Sequence, residues 1–323
     1  MTYHALVTGG AGFIGSTLVD RLIAEGHSVD VVDNLSTGSL ANLADARSTG
    51  AGRFQFHQLD VRSKDLVGLM RRRKPEVVYH MAAQVDVRVS VADPVLDADI
   101  NVLGSLMTLE GARAAGARKV VFASSGGTIY GDARELPIKE SAPQHPLSPY
   151  GVAKKAVGDY LFAYRELHGL EYAALALSNV YGPRQDPHGE AGVVAIFANR
   201  LLAGEPCFIF GDGKQTRDFV YVDDVVDAFS RAGERGSGLL CNIGTGHETS
   251  VNELYTTMAK NAGVDRPPVY APARNGELER SVLDPARASI HLGWKPWTTL
   301  EEGTSAVLDW TNRDRAQRNR SSS

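Results

Sequence analysis

The sequence predicts an α/β fold, in which a doubly wound parallel sheet is followed by a smaller, mixed α/β lobe. Two observations lead to this prediction. Short apolar segments alternate with helical segments through the first half of the 323 residues, which is the rhythm of βαβ units. A glycine-rich stretch, GGAGFIG (9–15), follows the first apolar segment and begins the first helical one. This order of strand, turn and helix is typical of a Rossmann-type sheet.

The expected strands of the first half are apolar segments bounded by polar or turn-forming residues. They lie at residues 4–8, 28–32, 55–59, 77–81, 119–123 and 171–176. A helix is expected over residues 15–25, and further helices lie between the later strands. After Asn179 the pattern weakens into a loop at 182–189, which a helix at 193–203 follows. We expect residues 220–231 and 240–243 to return to the sheet domain.

This pattern divides the chain into two parts. Residues 1–178 form the sheet domain, to which residues 217–246 return in part. Residues 179–216 and 247–312 form the smaller lobe. Residues 313–323 are polar and basic, and we expect them to form a flexible tail.

Composition and charge argue against several classes of protein. The formal net charge of −4 does not favour a nucleic-acid or membrane-surface partner. No apolar segment reaches membrane-spanning length, and the N-terminus enters a strand without room for a signal peptide. Cys207 and Cys241 provide no disulfide framework, which favours a cytoplasmic protein. No spacing of histidine, cysteine and acidic residues indicates a metal site.

The glycine-rich turn predicts a dinucleotide site. Gly9, Gly12 and Gly15 let the backbone approach a pyrophosphate, to which the helix N-terminus presents amide donors. Asp33 ends the second strand, where a carboxylate can accept both ribose hydroxyls and repels a 2′-phosphate. No basic residue follows in the segment 34–38, so the sequence favours NAD over NADP. Asp60 and Val61, after the third strand, suit the adenine edge.

Tyr150 and Lys154 form a candidate catalytic pair. Their spacing places both side chains on one face of a helix. A tyrosine with an ordinary pKa of about 10 is a poor base, but a neighbouring ammonium favours its phenolate. Taken alone, the spacing equally suits a surface pair. Together with the glycine turn and the intervening Ser124 and Ser125, it predicts hydride chemistry on a bound nicotinamide.

These residues resemble the extended short-chain dehydrogenase/reductase family, and most closely its UDP-galactose 4-epimerase branch. The matching stretches are GGAGFIG (9–15), VVDNLSTG (31–38), HMAAQVDVRVSVADP (80–94), Asn101, SSGGTIYG (124–131), YGVAK (150–154), SNVYGPRQ (178–185), FGDGKQTRDFVYVDDVVDA (210–228) and NIGTG (242–246). The resemblance implies that Tyr150 takes the proton of a sugar 4-hydroxyl and that the C4 hydride passes to NAD. The 4-keto sugar then turns over and accepts the hydride on its other face.

The resemblance also implies the binding residues. Those for NAD are Gly9, Gly12, Phe13, Ile14, Gly15, Asp33, Asn34, Ser36, Thr37, Gly38, Asp60, Val61, Ala82, Ala83, Gln84, Asn101, Ser124, Tyr150, Lys154 and Val180. Those for the UDP-sugar, in the smaller substrate-binding lobe, are Asn179, Val193, Val194, Phe210, Arg217, Arg274 and Glu277. Arginine guanidinium groups suit the oxygens of a diphosphate.

Two departures from the family pattern affect the site. Many epimerases carry a hydroxyl residue where this chain has Gly126, so Thr128 or, second, Ser125 is expected to hydrogen-bond the sugar O4. The pair Ala176 and Leu177 stands where relatives often carry arginine and an aromatic residue, beside the expected position of the nicotinamide.

The substrate and even the reaction class leave alternatives. UDP-glucose and UDP-galactose are the first candidates. The small Ser281 leaves space for UDP-N-acetylglucosamine, and Arg184 and Gln185 could meet the carboxylate of UDP-glucuronate. The stretch 127–129 lacks the carboxylate that nucleotide-sugar dehydratases and decarboxylases need. A non-catalytic NAD(H) sensor is disfavoured because Tyr150 and Lys154 are both present.

The family resemblance finally implies a homodimer, joined through two helices of each subunit. These helices would be the stretches 97–115 and 150–167. Both have apolar residues at helical spacing, namely Val102, Leu106, Leu109, Val157, Leu161 and Tyr164. The alternative is that these residues pack on the sheet of their own subunit.

Overall fold

The computed structural model describes residues 2–187, 192–273 and 278–321, with the backbone alone for 317–321. The strands in chain order are β1 His4–Thr8, β2 Ser28–Asp33, β3 Phe54–Gln58, β4 Val77–His80, β5 Lys119–Ser125, β6 Glu171–Leu177, β7 Asn179–Tyr181, β8 Phe208–Phe210, β9 Thr216–Arg217, β10 Phe219–Tyr221, β11 Leu239–Ile243, β12 Thr249–Ser250, β13 Val269–Ala271 and β14 Arg280–Ser281.

The helices alternate with these strands through the first half of the chain. They are α1 Phe13–Ala24, α2 Ala44–Thr49, α3 Asp65–Arg73, α4 Val87–Ala92, α5 Pro94–Ala98, α6 Gly104–Ala115, α7 Gly126–Ile129, α8 Pro149–His168, α9 Val193–Ala203, α10 Val222–Glu234, α11 Val251–Asn261, α12 Ala286–Leu292 and α13 Leu300–Ser321. A 3-10 turn, Leu40–Leu43, precedes α2, and a π-helical turn, Asp99–Leu103, joins α5 to α6.

The main sheet has seven parallel strands in the order β11-β6-β5-β4-β1-β2-β3. Its central strands are apolar and buried on both faces, as covering helices require. The chain leaves β1 in one direction to β2 and later returns to its other side with β4. This reversal opens a crevice at the carboxyl ends of β1 and β4, where ligands of such sheets bind. The predicted α/β fold with a Rossmann-type sheet is therefore confirmed.

The smaller lobe is built from very short strands. Its sheets are β10-β7, β12-β9-β14 and β13-β8. Helix α11 begins with a capping box, in which Ser250 and Glu253 each bond the other's backbone amide. The strand β11, by contrast, pairs in parallel with β6 and extends the main sheet. The division of the chain into the two predicted parts, including its boundaries, stays a prediction.

The part of the expected flexible tail that the structure describes, residues 313–321, is helical. Helix α13 continues through Ser321, and Arg315 Nη1 donates to the carbonyl of Asn199 at 3.3 Å. The polar composition that suggested a loose end also suits a solvent-facing helix, whose inner face packs through Val307 and Leu308. Among the described residues, no helix has both the length and the apolar character needed to cross a membrane.

Candidate active site

The glycine turn lies at the crevice between β1 and β4. Gly9 has a φ of 67° and donates its backbone N–H to Val32 O at 2.8 Å. A Cβ at Gly15 would lie 2.1 Å from Gly9 O, so only glycine fits there. Helix α1 begins after Gly12 with no side-chain cap and no acidic residue in its first turn. Its first amides, including those of Phe13 and Ile14, therefore suit a pyrophosphate.

Asp33 lies beside this turn, at the end of β2. Its carboxylate accepts the backbone N–H of Ala11 at 3.0 Å and that of Leu35 at 2.8 Å. A Cβ at Gly38 would lie 2.9 Å from Asp33 Oδ1, so glycine allows the loop 34–38 to close over the carboxylate. The two backbone donors fix the direction of the carboxylate, and its remaining lone pairs can accept ribose hydroxyls.

The loop after β3 carries Asp60, which contacts the loop after β2. Asp60 accepts from Asn34 Nδ2 and from the guanidinium of Arg62, each at 2.9 Å. The Arg62 hydrogen bonds hold the pKa of the Asp60 carboxyl well below its usual range. Asn34 Oδ1 in turn accepts the backbone N–H of Ser36, next to Thr37. The predicted adenine-side residues therefore form one connected group, with Val61 buried behind them.

The loop after β4 is held by Asn101 and Asp97. Asn101 Oδ1 accepts the backbone N–H of Gln84, and its Nδ2 donates to Gln84 O, both at 2.9 Å. Asp97 Oδ1 accepts from the side-chain amides of both residues. The N–H of Ala82, next to Ala83, donates to Thr8 Oγ1 at 3.3 Å. Asn101 thus positions the loop of predicted NAD contacts. Asp97 was not among the predicted site residues, although its spacing of four residues from Asn101 was a signal.

Lys154 is fully enclosed beneath the crevice. Its Nζ donates to Ala123 O at 2.9 Å and lies 5.6 Å from the ring centroid of Tyr150, which is half-buried. Burial lowers the pKa of Lys154 to about 8, against an opposing effect of Asp97. Burial and the nearby Lys154 lower the pKa of His80 to about 3, so this histidine is neutral. Lys154 is therefore mainly an ammonium at neutral pH, close to the Tyr150 ring.

The hydroxyl residues Ser125 and Thr128 lie at the short helix α7, against the start of α8. Thr128 Oγ1 donates to Ser125 O at 3.4 Å, and Ser124 is buried before them. A Cβ at Gly151 would lie 2.9 Å from Thr128 O, which shows how closely α7 approaches the residue next to Tyr150. The structure thus brings the four predicted catalytic residues to one end of α8.

The predicted substrate residues lie on the short strands. Asn179 donates its backbone N–H to Asp218 O at 2.9 Å, and Val180 O accepts from Gln185. Arg217 is half-buried on β9, between β12 and β14. Phe210 ends β8, and its carbonyl accepts from Gln215 at 2.8 Å. We refer to Asn179, Phe210, Arg217 and the start of α9, the predicted substrate residues that the structure describes, as the substrate wall.

The start of helix α9 carries the predicted substrate residues Val193 and Val194. It has no side-chain cap and no acidic residue in its first turn, as an anion site at its start requires. Val193 is half-buried, whereas Val194 is fully buried in the core. Only the backbone of Val194 can therefore face a ligand. Arg274 and Glu277, predicted for the second phosphate and the ribose, lie outside the described residues.

Arg184 is paired with acids of its own chain, which disfavours the expected contact with a uronate. Its guanidinium bonds Asp20 at 2.7 Å and Ser16 Oγ at 3.2 Å, and lies 3.4 Å from Asp45. The residue adopts a positive φ of 71°, which turns the loop back over α1. Acids within the chain already neutralise this arginine.

The sequence analysis also missed Asp218, a buried acid next to Arg217. Its carboxylate accepts the N–H and hydroxyl of Thr245 at 2.7 and 2.6 Å, and the N–H groups of Gly246 and Leu283 at 3.3 and 3.2 Å. Burial raises its pKa, although these hydrogen bonds oppose the shift. The signal was an acid placed directly before the apolar strand β10. Asp218 joins three segments behind the substrate wall.

Comparisons with known proteins agree with this geometry. The UDP-glucose 4-epimerase of Mycolicibacterium smegmatis is 52% identical over 308 residues, which cover 95% of this chain and 98% of that protein. The crystal structure of the UDP-glucose 4-epimerase of Thermotoga maritima with UDP-glucose is 44% identical, with a TM-score of 0.92 and coverage of 97% and 99%. The Thermus thermophilus UDP-glucose 4-epimerase, solved with NAD, is 43% identical, with a TM-score of 0.88 and coverage of 96% and 99%.

A family model matches residues 5–244, which span the glycine turn, Asp33, the pair Tyr150 and Lys154, and Arg217. This stretch is well over half of the chain and contains the main sheet from β1 to β11. By these residues and by its similarity to the relatives above, the chain belongs to the NAD dependent epimerase/dehydratase family.

Proposed function

We propose that this protein is an NAD-dependent UDP-glucose 4-epimerase, which reversibly inverts C4 of UDP-glucose and UDP-galactose. The observation that carries the proposal is the buried Lys154 ammonium 5.6 Å from the Tyr150 ring centroid, at the end of α8 that the turn of Ser125 and Thr128 approaches. A carboxylate that could remove water or carbon dioxide is absent from the turn 124–131. The site therefore suits oxidation and reduction at one carbon without loss of a group.

The glycine turn, the uncapped start of α1 and the carboxylate of Asp33 fit NAD. When bound, NAD supplies a reversible acceptor for the hydride of the sugar C4. Tyr150, as phenolate, takes the proton of the 4-hydroxyl and later returns it to the 4-keto sugar. Thr128, with Ser125 second, hydrogen-bonds the sugar O4 and directs it toward the phenolic oxygen. General-base catalysis of this kind contributes about 10²–10⁴ in rate.

Lys154 stabilises the charged form of Tyr150. An ammonium close to the ring favours the phenolate by Coulomb attraction, which is strong where water is excluded. The carbonyl of Ala123 holds Nζ in place, so the charge is positioned before the substrate binds. Asp97 accepts hydrogen bonds from the side chains of Asn101 and Gln84, and its Coulomb attraction favours the Lys154 ammonium.

The diphosphate of the UDP-sugar is bound by the substrate wall. Arg217 supplies a guanidinium, Asn179 an amide, and the first amides of α9 near Val193 a positive helix terminus. Arg274 and Glu277 complete the nucleotide end by resemblance to the family. This arrangement leaves the hexose to reach α7 and Tyr150.

UDP-N-acetylglucosamine is a second candidate substrate. Ser281 pairs with Arg217 in the β14–β9 ladder. Because its side chain is small, it leaves space for an N-acetyl group near Arg217, the residue proposed to bind the diphosphate. Family members that reject N-acetylated sugars often carry a bulky aromatic residue here. UDP-glucuronate is disfavoured, because Arg184 is already neutralised by Asp20.

The protein is proposed to act as a homodimer, but through a different face from the predicted one. Leu109, Val157 and Leu161 are buried in the core of their own subunit, so they cannot join two subunits. Other positions on α8 and the neighbouring π-turn expose apolar side chains, with exposed fractions of 53% for Leu103, 53% for Val152, 41% for Tyr160 and 74% for Leu167. A monomeric mass by light scattering at micromolar protein would contradict the dimer.

We place the protein in the cytoplasm, since both cysteines are unpaired and buried. The function is tested by incubating the purified protein with separate UDP-, dTDP- and GDP-sugars and identifying the products by NMR. Interconversion of UDP-glucose and UDP-galactose is expected. A product that has lost water or carbon dioxide, or no product from any sugar, would contradict the proposal.

A further inference from the structure

Leu283 lies between the substrate wall and the turn that carries Ser125 and Thr128. Its side chain is fully buried in a small cluster with Ile129, Tyr130, Ile138 and Ala176. The backbone around it is paired on both sides, because Ile138 donates to Val282 O and Asp284 donates to Ile138 O, each at 2.8 Å. Leu283 is thus held by backbone hydrogen bonds of its two neighbours and packs directly on Gly126 of this turn.

The Leu283 side chain occupies the volume that a side chain at position 126 would need. A Cβ on Gly126 would lie 2.4 Å from Leu283 Cδ1, 3.0 Å from Cδ2 and 3.2 Å from the carbonyl of Ala176. Gly126 is not among the glycines with positive φ. Glycine is therefore required at position 126 for space and not for backbone conformation.

The neighbouring Gly127 shows that this restriction is local. A Cβ there would meet nothing within 4 Å, and its φ is also not positive. Of these two adjacent glycines, only Gly126 has Leu283 within 4 Å of its Cβ position, and Leu283 makes the shortest of its contacts. The same turn lacks the hydroxyl that relatives place at position 126, so the sugar O4 depends on Thr128 and Ser125.

Leu283 also connects this turn to the residues of the substrate wall. Its backbone N–H donates to Asp218 Oδ2 at 3.2 Å, and Ser281, two residues earlier, pairs with Arg217. Asp218 O accepts from the backbone of Asn179. One short segment, 281–283, therefore contacts both ends of the proposed substrate site.

We propose that Leu283 is a positioning residue for the sugar end of the site. By packing on Gly126 it sets the position of the turn, and with it the hydroxyls of Thr128 and Ser125 relative to Tyr150. This inference rests on the proposed epimerase function. It predicts that position 126 and position 283 are coupled: each change alone displaces the turn, and a change at one relieves the effect of the other.

The test is a double-mutant cycle with Leu283→Ala, Gly126→Ser and the double variant, measured with UDP-galactose. Misplacement of the turn is expected to lower kcat by about 10–100-fold in each single variant, while KM changes little. The double variant is expected to lose far less than the product of the two single losses. Gly127→Ala is the matched control, and its kcat is expected to stay close to that of the unchanged protein.

A purely structural role for Leu283 gives a different pattern. Leu283→Ala would then lower the midpoint of denaturant unfolding but leave kcat unchanged, or the two losses in kcat would multiply; either result overturns the inference. If Leu283→Ala does not fold, Gly126→Ala tests the same contact without creating a cavity, and a kcat equal to that of Gly127→Ala overturns the inference. Absence of turnover in the unchanged protein would instead contradict the proposed function.

Discussion

The cofactor crevice and the substrate wall are built in different ways. In the crevice, Asp33 and Asn101 are held by backbone groups of the loops that leave the long parallel strands. In the wall, strands of two or three residues are joined by one buried acid, Asp218, which bonds segments far apart in the chain. A site at regular strand ends follows from local sequence, whereas a site held by a distant carboxylate depends on the whole lobe.

This difference predicts that single substitutions will affect NAD binding and UDP-sugar binding separately. Changes in the crevice should alter NAD binding and leave the affinity for the UDP-sugar intact. Changes in the wall should do the reverse. Tyr150 is predicted both as the base and as an NAD contact, so removal of its hydroxyl alone should alter catalysis far more than either binding step.

The largest expected effect is that of Tyr150→Phe. The change removes the base and keeps the ring beside Lys154, so kcat should fall by about 10²–10⁴. The bound NAD(H) of the purified protein, measured after denaturation, should fall much less than kcat. A variant that keeps more than a tenth of the original kcat would show that Tyr150 is not the base.

Asp218→Ala tests the wall. It leaves the N–H groups of Thr245, Gly246 and Leu283 without their acceptor, and each lost partner costs about 1–3 kcal/mol. KM for the UDP-sugar should rise and the unfolding midpoint should fall, while the NAD(H) content per folded protein stays the same. Loss of NAD(H) with an unchanged KM would contradict the assignment of Asp218 to the wall.

Asp33→Ala tests the cofactor crevice and is the counterpart there of Asp218→Ala in the substrate wall. Loss of the carboxylate should weaken NAD binding by about 1–3 kcal/mol, as expected for a charged hydrogen bond. At saturating NAD, KM for the UDP-sugar should be unchanged. Calorimetric titration measures the binding, and an equal affinity of the unchanged protein for NAD and NADP would contradict the role of Asp33.

The smallest expected effect is the pH dependence that Lys154 causes. Its folded pKa of about 8 lies below the ordinary value of about 10.5. As pH rises above about 8 the ammonium is lost, so kcat/KM should fall along a limb that Lys154→Arg moves to higher pH. An unchanged limb in Lys154→Arg would assign the pH dependence to another group.

The contribution of Lys154 to the free energy of unfolding should rise over the pH range in which kcat/KM falls. Between about pH 8 and 10.5 the unfolded chain binds more protons at Lys154 than the folded chain. The stability of the unchanged protein relative to Lys154→Met should therefore rise with pH through this window. A relative stability that falls there would show that the ammonium is favoured by folding, contrary to its burial.

The sequence predicted the sheet and the crevice well because their signals are local. The glycine turn, Asp33 and the pair Tyr150 and Lys154 each follow or begin a regular element, so spacing alone indicates where they lie. The predicted dimer face includes residues that are buried within the subunit, because apolar spacing cannot distinguish the side of α8 that packs on the sheet from the side that faces solvent. Exposure, which only the structure gives, separates Val152 from Val157.

The substrate wall was predicted only through family resemblance. Asp218 lies 65 residues from Leu283 and 27 from Thr245 in the chain, so no local pattern links these three. Arg184 reads as a free cation in the sequence, and only the fold brings Asp20 and Asp45 to it. Leu283 likewise lies far from Gly126, and only the fold explains why the expected hydroxyl is missing there.

The central claim is that C4 is inverted by a hydride that leaves and returns inside one pocket, with Tyr150 as base. The most direct measurement is proton NMR of the conversion of UDP-galactose to UDP-glucose in deuterium oxide. We expect the product to keep a proton at C4, because the hydrogen never exchanges with solvent, and we expect Tyr150→Phe to slow this conversion severely. Deuterium at C4 of the product would contradict the claim.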